Sequence, residues 1–464
     1  MPHMDTNAVL DRVEANLPAA QERWFSLLRI PSISAQPAHA ADCQTAAEWL
    51  RDQLAGMGFK AGVEPTAGHP VVLAHHPGPG EDAPHLLFYG HYDVQPAEPL
   101  DLWAHPPFEP TLVEGPHGPR VYARGAVDDK GQTMLWLEAL RAWHQETGSL
   151  PVQVTALIEG EEEVGSPNLE AFISANKARL GADVVVISDT GMWDIDTPAL
   201  STRLRGMVYT QVTLRAASRD LHSGMYGGAA LNPINALTRI LGQLHDENGR
   251  IQLPGFYDGI SEPTNAQRAQ WDALGFDENR FLGDVGLHHS MGERGRSPLE
   301  RLWARPTADI NGIWGGYQGP GSKTVIAAEA GAKVSFRLVP GQDPAKIAES
   351  FRRFVQERAP EDAKLEVQVF SGSPGIEVAQ DGKFIVAAQQ ALADEYGRPA
   401  VLIGSGGSIP VVESFRRVLG LDSVLMGFGL DDDQVHSPNE KFEWTCFRHG
   451  IRSHARLLGK LLSR

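Results

Sequence analysis

Apolar and polar positions change their period several times along the chain, and each change marks an element. Positions 11–29 and 46–57 carry apolar residues at helical spacing, whereas 85–89, 152–158 and 184–188 are short apolar runs of strand length. This alternation predicts an α/β domain, a largely parallel sheet with helices on both faces. From Gly206 the pattern shifts. Positions 207–214, 332–338 and 364–370 read as strands and 230–244 and 344–358 as helices, an order that predicts a small α+β domain with its sheet covered on one face. Positions 254–306 between them read as irregular. A helix over 383–396, a strand over 400–403 and a helix from Thr445 then resume the first pattern. The expected organisation is a discontinuous domain, 1–205 plus 372–464, into which 206–371 is inserted. At 464 residues the chain is in any case too long for one hydrophobic core.

Acidic and imidazole side chains sit just beyond several of the predicted strands. His91 follows His-Leu-Leu-Phe-Tyr-Gly, Glu163 lies in Glu-Gly-Glu-Glu-Glu-Val-Gly-Ser at 159–166, and Asp189 follows Val-Val-Val-Ile-Ser. In open α/β sheets ligands bind beyond the carboxyl ends of the strands, so these segments deliver donors to one edge. Asp128, in Asp-Asp-Lys-Gly, and His436, in Val-His-Ser-Pro-Asn-Glu, complete five possible metal ligands with no thiolate among them. Two imidazoles and three carboxylates suit Zn²⁺, Mn²⁺ or Co²⁺, and one carboxylate can bridge two ions about 3.5–4 Å apart. Asp93, two residues beyond His91, shares its face on an extended backbone and can orient the imidazole. Singly, each residue has a plainer explanation: a helix cap for Asp128, a solvated acidic loop for 159–163, a surface turn for His436. His288 and His289 have no partner in the pattern and read as surface.

Composition narrows the class. Lys and Arg total 41 against 58 Asp and Glu, a formal charge of −17 with no basic run, which argues against nucleic acid as a partner. Two cysteines, Cys43 and Cys446, allow neither a disulfide framework nor a cysteine zinc site. No segment has the length of a membrane span, and the first residues lack an apolar core with a cleavage site behind it, so the expected location is the cytoplasm.

Six further motifs carry a resemblance. They are Ala-Arg-Gly-x-x-Asp-Asp-Lys-Gly at 123–131, Asp-Leu-His-Ser-Gly-x-Tyr-Gly-Gly at 220–228, Lys-Thr-Val-Ile at 323–326, Arg-Leu-Val-Pro at 337–340, Gly-Gly-Ser-Ile-Pro at 406–410 and His-Ser-x-Asn-Glu-Lys at 436–441. Over nearly its full length the chain resembles the co-catalytic metallopeptidases that include acetylornithine deacetylase, succinyl-diaminopimelate desuccinylase, carboxypeptidase G and aminoacylase. It looks most like their cytosolic non-specific dipeptidase and carnosinase branch. The resemblance implies two divalent ions per subunit, held by His91, Asp128, Glu163, Asp189 and His436, with Asp128 bridging. It implies Glu162 as general base, although this chain has a further acid, Glu161, where relatives commonly have an apolar residue. It also implies a cis peptide at Asp128–Asp129, and substrate contacts from Thr324, Arg337, Gly407 and Ser408. The inserted domain becomes a lid and dimerisation domain, and His222 an oxyanion-stabilising group that reaches across a homodimer.

The resulting expectation is a metal-dependent dipeptidase acting next to a free C-terminal carboxylate, through a bridging water whose proton Glu162 removes. Small peptides are its expected substrates. An N-acyl amino acid deacylase or desuccinylase would use the same machinery. A catalytically silent relative serving in binding is the alternative from another class, against which an intact ligand set and Glu162 argue.

Overall fold

The computed structural model describes residues 5–407 and 409–462. They form two compact units: Met1–Thr202 with Val378–Ile403 and Val411–Arg464, and Arg203–Glu377 with Gly404–Pro410. The division thus falls at Arg203 and Glu377 rather than at 206 and 371, and Gly404–Pro410 groups with the second unit. A local reason is that Arg205 bonds this segment, its N–H donating to the Gly407 carbonyl (3.1 Å) and its Nε to that of Gly406 (3.2 Å).

In the first unit, the strands Gln153–Glu159, His85–His91, Val184–Ile187 and Ser423–Leu425 run parallel, side by side, at the centre of the sheet. Antiparallel strands extend it: Val71–His76 and Lys60–Glu64 on one side, Ala199–Leu204 on the other. Val184–Ile187 is buried throughout, the continuous apolar run expected where both faces of a parallel strand are covered. The helix Lys130–Thr147 is buried over most of its length because it packs on His85–His91 and between the helices Thr6–Leu28 and Trp444–Leu462. Phe88 stacks on Trp136 (5.1 Å between centroids) and Trp24 on Phe447 (4.3 Å), pinning helix to sheet and helix to helix.

The second unit is built on an antiparallel sheet in the order Thr307–Gly315, Glu329–Leu338, Gly206–Arg215, Lys364–Ser373. The helices Pro233–Leu241 and Pro344–Gln356 pack on it, and Leu237, Ile240, Phe351 and Phe354 meet Val208, Val212, Val334 and Phe336 in its core. The helix read at 230–244 is shorter because Asn232 caps it, its Oδ1 accepting from the N–H groups of Ile234 and Asn235, with Pro233 at the first helical position. The stretch 254–306, read as irregular, contains the helices Asn265–Asp272 and Glu278–Gly283. Thr264 and Gln267 close the first of these in a reciprocal capping box. Both are too short for a helical period to show in the sequence.

Among the described residues, no helix is long and apolar enough to cross a membrane.

Candidate metal and active site

His91 ends its strand fully buried, and its Nδ1 faces the carbonyl oxygen of Asp93 at 3.1 Å and the carboxylate at 3.5 Å. Both are acceptors, so Nδ1 carries a proton, and Nε2 is the atom that would present a lone pair to a cation. The Asp93 carboxylate has a second task, which the sequence did not suggest. It accepts the N–H groups of Glu162 (3.2 Å) and Glu163 (3.1 Å), fixing the turn that carries both acids.

Asp128 lies between the two imidazoles, with Oδ1 3.2 Å from His91 Nε2 and Oδ2 2.9 Å from His436 Nε2. His436 Nε2 is also 3.1 Å from Glu163 Oε2, and Asp189 Oδ2 is 4.0 Å from His91 Nε2. Gln95 Nε2 donates to Glu163 Oε2 (2.8 Å). His436 is held on a turn in the left-handed region (φ 63°), which reaches it back toward Asp128. The Asp128–Asp129 peptide is cis, and the Asp129 carboxylate accepts from the His91 N–H (3.1 Å) and the Thr133 hydroxyl (2.9 Å). Glu161 is engaged elsewhere, by Asn168 Nδ2 (2.8 Å).

The electrostatics of this cluster are those of a cation site. Burial first, then the negative charges of Asp189, Glu163 and Asp128, push the Glu162 carboxyl well above the usual range, with His91 opposing. Burial and then Asp128 push Asp189 up to about 7. Hydrogen bonds to Asp128 and Glu163 raise His436 to about 10. His91 Nε2 is buried without a hydrogen-bond partner although it faces carboxylates. Ligands about 2.0–2.2 Å from one ion stand roughly 3–3.5 Å apart, the spacing found here, so the nitrogen and oxygen donors fit divalent metal. His91, Asp128 and Glu163 offer ligand atoms all within 4.8 Å of one another.

The remaining expected residues lie in the second unit. His222 Nδ1 accepts the Gly224 N–H (3.0 Å), so the ring proton resides on Nε2 and that atom is a donor. Beside it, the Thr324 carbonyl accepts the Ser223 N–H (3.1 Å). Arg337, half-buried near the end of its strand, has Arg205 for a neighbour: burial and then the Arg337 charge lower Arg205 to about 10, with Asp309 opposing. Arg205 was not picked out in the sequence, since an isolated strand-end Arg carries no distinguishing signal. Gly407 is exposed. Ser408 lies outside the described residues. His288 and His289 are both exposed.

Comparison with known proteins identifies the family. The chain is 32% identical over 462 residues to the Cys-Gly metallodipeptidase dug1 of Schizosaccharomyces pombe, covering 95% of each. It is 32% identical over 392 residues to the human Beta-Ala-His dipeptidase, covering 83% of this chain and 76% of the relative. A solved M20 family metallo-carboxypeptidase, Sso-CP2 from Sulfolobus solfataricus, superposes with a TM-score of 0.85 at 30% identity, over 96% of this chain and 99% of the other. The profile of peptidase family M20/M25/M40 matches residues 87–460, and the chain belongs to that family of metallopeptidases, which are hydrolases.

Proposed function

We propose that this chain is a metal-dependent dipeptidase that hydrolyses dipeptides bearing a free C-terminal carboxylate. The observation that carries the reading is the convergence of His91, Asp128, Glu163 and His436 within hydrogen-bond distances at the sheet edge. The dipeptidase names of two relatives, one of them matched over 95% of each chain, support it.

His91, Asp128, Glu163, Asp189 and His436 would hold two divalent ions, zinc or manganese, with cobalt a third possibility. Such ions supply Lewis acidity that polarises the scissile carbonyl and acidifies water. The chain's own groups do the rest. Glu162, next to the ligand Glu163, takes the proton from the attacking water and passes it to the leaving amine. His222 donates from Nε2 to the developing oxyanion. Arg337 grips the terminal carboxylate through parallel N–H donors, in a field that Arg205 makes more positive, with Thr324, Gly407 and Ser408 completing the contacts. The proposed location is the cytoplasm.

A carboxylate-gripping Arg337 predicts discrimination. Losing one partner of a desolvated charge pair costs roughly 2–5 kcal/mol, so C-terminally amidated dipeptides should be poorer by about 30-fold or more in kcat/KM. Arg337→Ala should nearly erase that preference. Equal cleavage of amidated and free dipeptides by the unaltered enzyme would remove both the Arg337 assignment and the dipeptidase reading. The likeness to a metallo-carboxypeptidase favours one competing specificity, release of the last residue from longer peptides. Tripeptides and N-acyl amino acids assayed beside dipeptides separate this, and deacylation, from dipeptide hydrolysis.

The working form is proposed to be a homodimer joined through the second unit, with each His222 serving the other copy's site. Mixing inactive His222→Ala with inactive Glu162→Gln and letting subunits exchange should restore activity, because one site of each mixed dimer then holds both native groups. Proven exchange without recovery would put His222 in the site of its own chain.

A further inference from the structure

Asp128 and His436 come from distant parts of the chain, yet Nε2 of one must meet Oδ2 of the other at 2.9 Å. Neither is held by its own segment alone. His436 is about half exposed, on a left-handed turn, and Asp128 follows a loop without regular structure. Just after His436 in the chain comes a fully buried carboxylate, that of Glu440, which binds the Asp128 loop. One of its oxygens, Oε1, accepts the N–H groups of Val127 (3.0 Å) and Asp128 (3.1 Å). The other, Oε2, accepts the N–H of Gly125 (3.0 Å) and Nη1 of Arg124 (2.8 Å).

The backbone around Glu440 closes the same link. Its carbonyl accepts the Ala123 N–H (3.1 Å), and the strand Lys441–Glu443 pairs with Gly118–Tyr122, which leads into the Asp128 loop. On the other side, Lys441 holds the start of the His436 loop through Asp433 (2.6 Å) and Asp432 (3.0 Å). Asn439 adds bonds to the Ala104 N–H (2.6 Å) and the Leu102 carbonyl (2.9 Å). Glu440 therefore sits where the His436 loop and the Asp128 loop are tied together.

We propose that Glu440 is a positioning residue of the metal site, setting Asp128 against His436 by gripping the Val127 and Asp128 amides from the end of the His436 loop. The role demands a carboxylate. Four donors converge on two oxygens that only accept, whereas glutamine would turn an NH₂ group toward two of those donors. This inference rests on reading the cluster as a metal site, and the two fail separately. Failure of the metal reading appears in the unaltered protein, failure of this one only in the variants.

The test is the affinity of full-length protein for Zn²⁺, measured by competition with a chromogenic chelator, together with the visible absorption of Co²⁺ bound in its place and the melting temperature without metal. Altering a group that orients ligands typically costs about 10- to 100-fold in metal affinity, and that loss, with a changed Co²⁺ spectrum, is expected of Glu440→Gln. Glu440→Asp keeps the charge but draws the carboxylate back by one methylene, and should show an intermediate loss even if the Gln variant does not fold. Arg124→Lys keeps a positive charge beside Glu440 and leaves the grip on the Val127 and Asp128 amides in place, so it should lower the melting temperature with metal affinity within a few-fold of the unaltered protein. Affinity and spectrum unchanged in Glu440→Asp, or weakened no more than in Arg124→Lys, would overturn the proposal.

Discussion

Glu162→Gln is expected to lower kcat by about 10²–10⁴-fold while the protein keeps its metal, because the substitution removes a proton acceptor and no ligand. The expectation follows from how the two adjacent acids differ. Glu163 contacts His436 Nε2 (3.1 Å) and Gln95 Nε2 (2.8 Å), which ties it into the ligand cluster. Glu162 is held through its backbone by Asp93 and feels the charges of Asp189, Glu163 and Asp128, which favour its protonated form. Divalent ions bound beside it would offset those charges and leave the carboxylate free to accept a proton. Glutamine is nearly isosteric, so the turn anchored on Asp93 should survive and KM should change little. Elemental analysis of the purified variant decides the assignment. If Glu162→Gln loses an equivalent of metal, Glu162 is the ligand and the roles of the two acids are exchanged.

Much of the scaffold could be read from the chain because the strands bearing His91, Glu163 and Asp189 are continuous apolar runs, and a donor directly after such a run points to the sheet edge. The structure brings those residues together with Asp128 and His436. His436 gave no local sign, being a histidine in a polar turn, and only the surrounding motif singled it out. What stayed hidden has a common physical cause. Asp93 and Glu440 act on backbone N–H groups, and every residue but proline carries one, so the partner leaves no mark in the sequence. The strand Thr307–Gly315 escaped for a different reason: an irregularity between Ile310 and Gly312 shifts its register and breaks the period-two pattern. Segment 404–410 was grouped by sequence order with the flanking domain, while the Arg205 bonds that place it are long-range.

Removing divalent metal should abolish dipeptide hydrolysis, and this is the second large effect expected. Water at neutral pH is a poor nucleophile toward an amide, and neither cysteine offers a covalent substitute. Both cysteines are buried, and burial pushes the Cys43 thiol up to about 12, away from a reactive thiolate. Stripped of cations, Glu162 and Asp189, buried among the other acids of the cluster, would take up protons, which further silences Glu162 as a base. The decisive measurement is hydrolysis of an unblocked dipeptide by exhaustively chelated protein, with bound metal determined on the same sample as Zn²⁺ or Mn²⁺ is returned. The account predicts background rates in the stripped protein and recovery that follows the ions bound, whereas full hydrolysis by protein holding no divalent ion would contradict it.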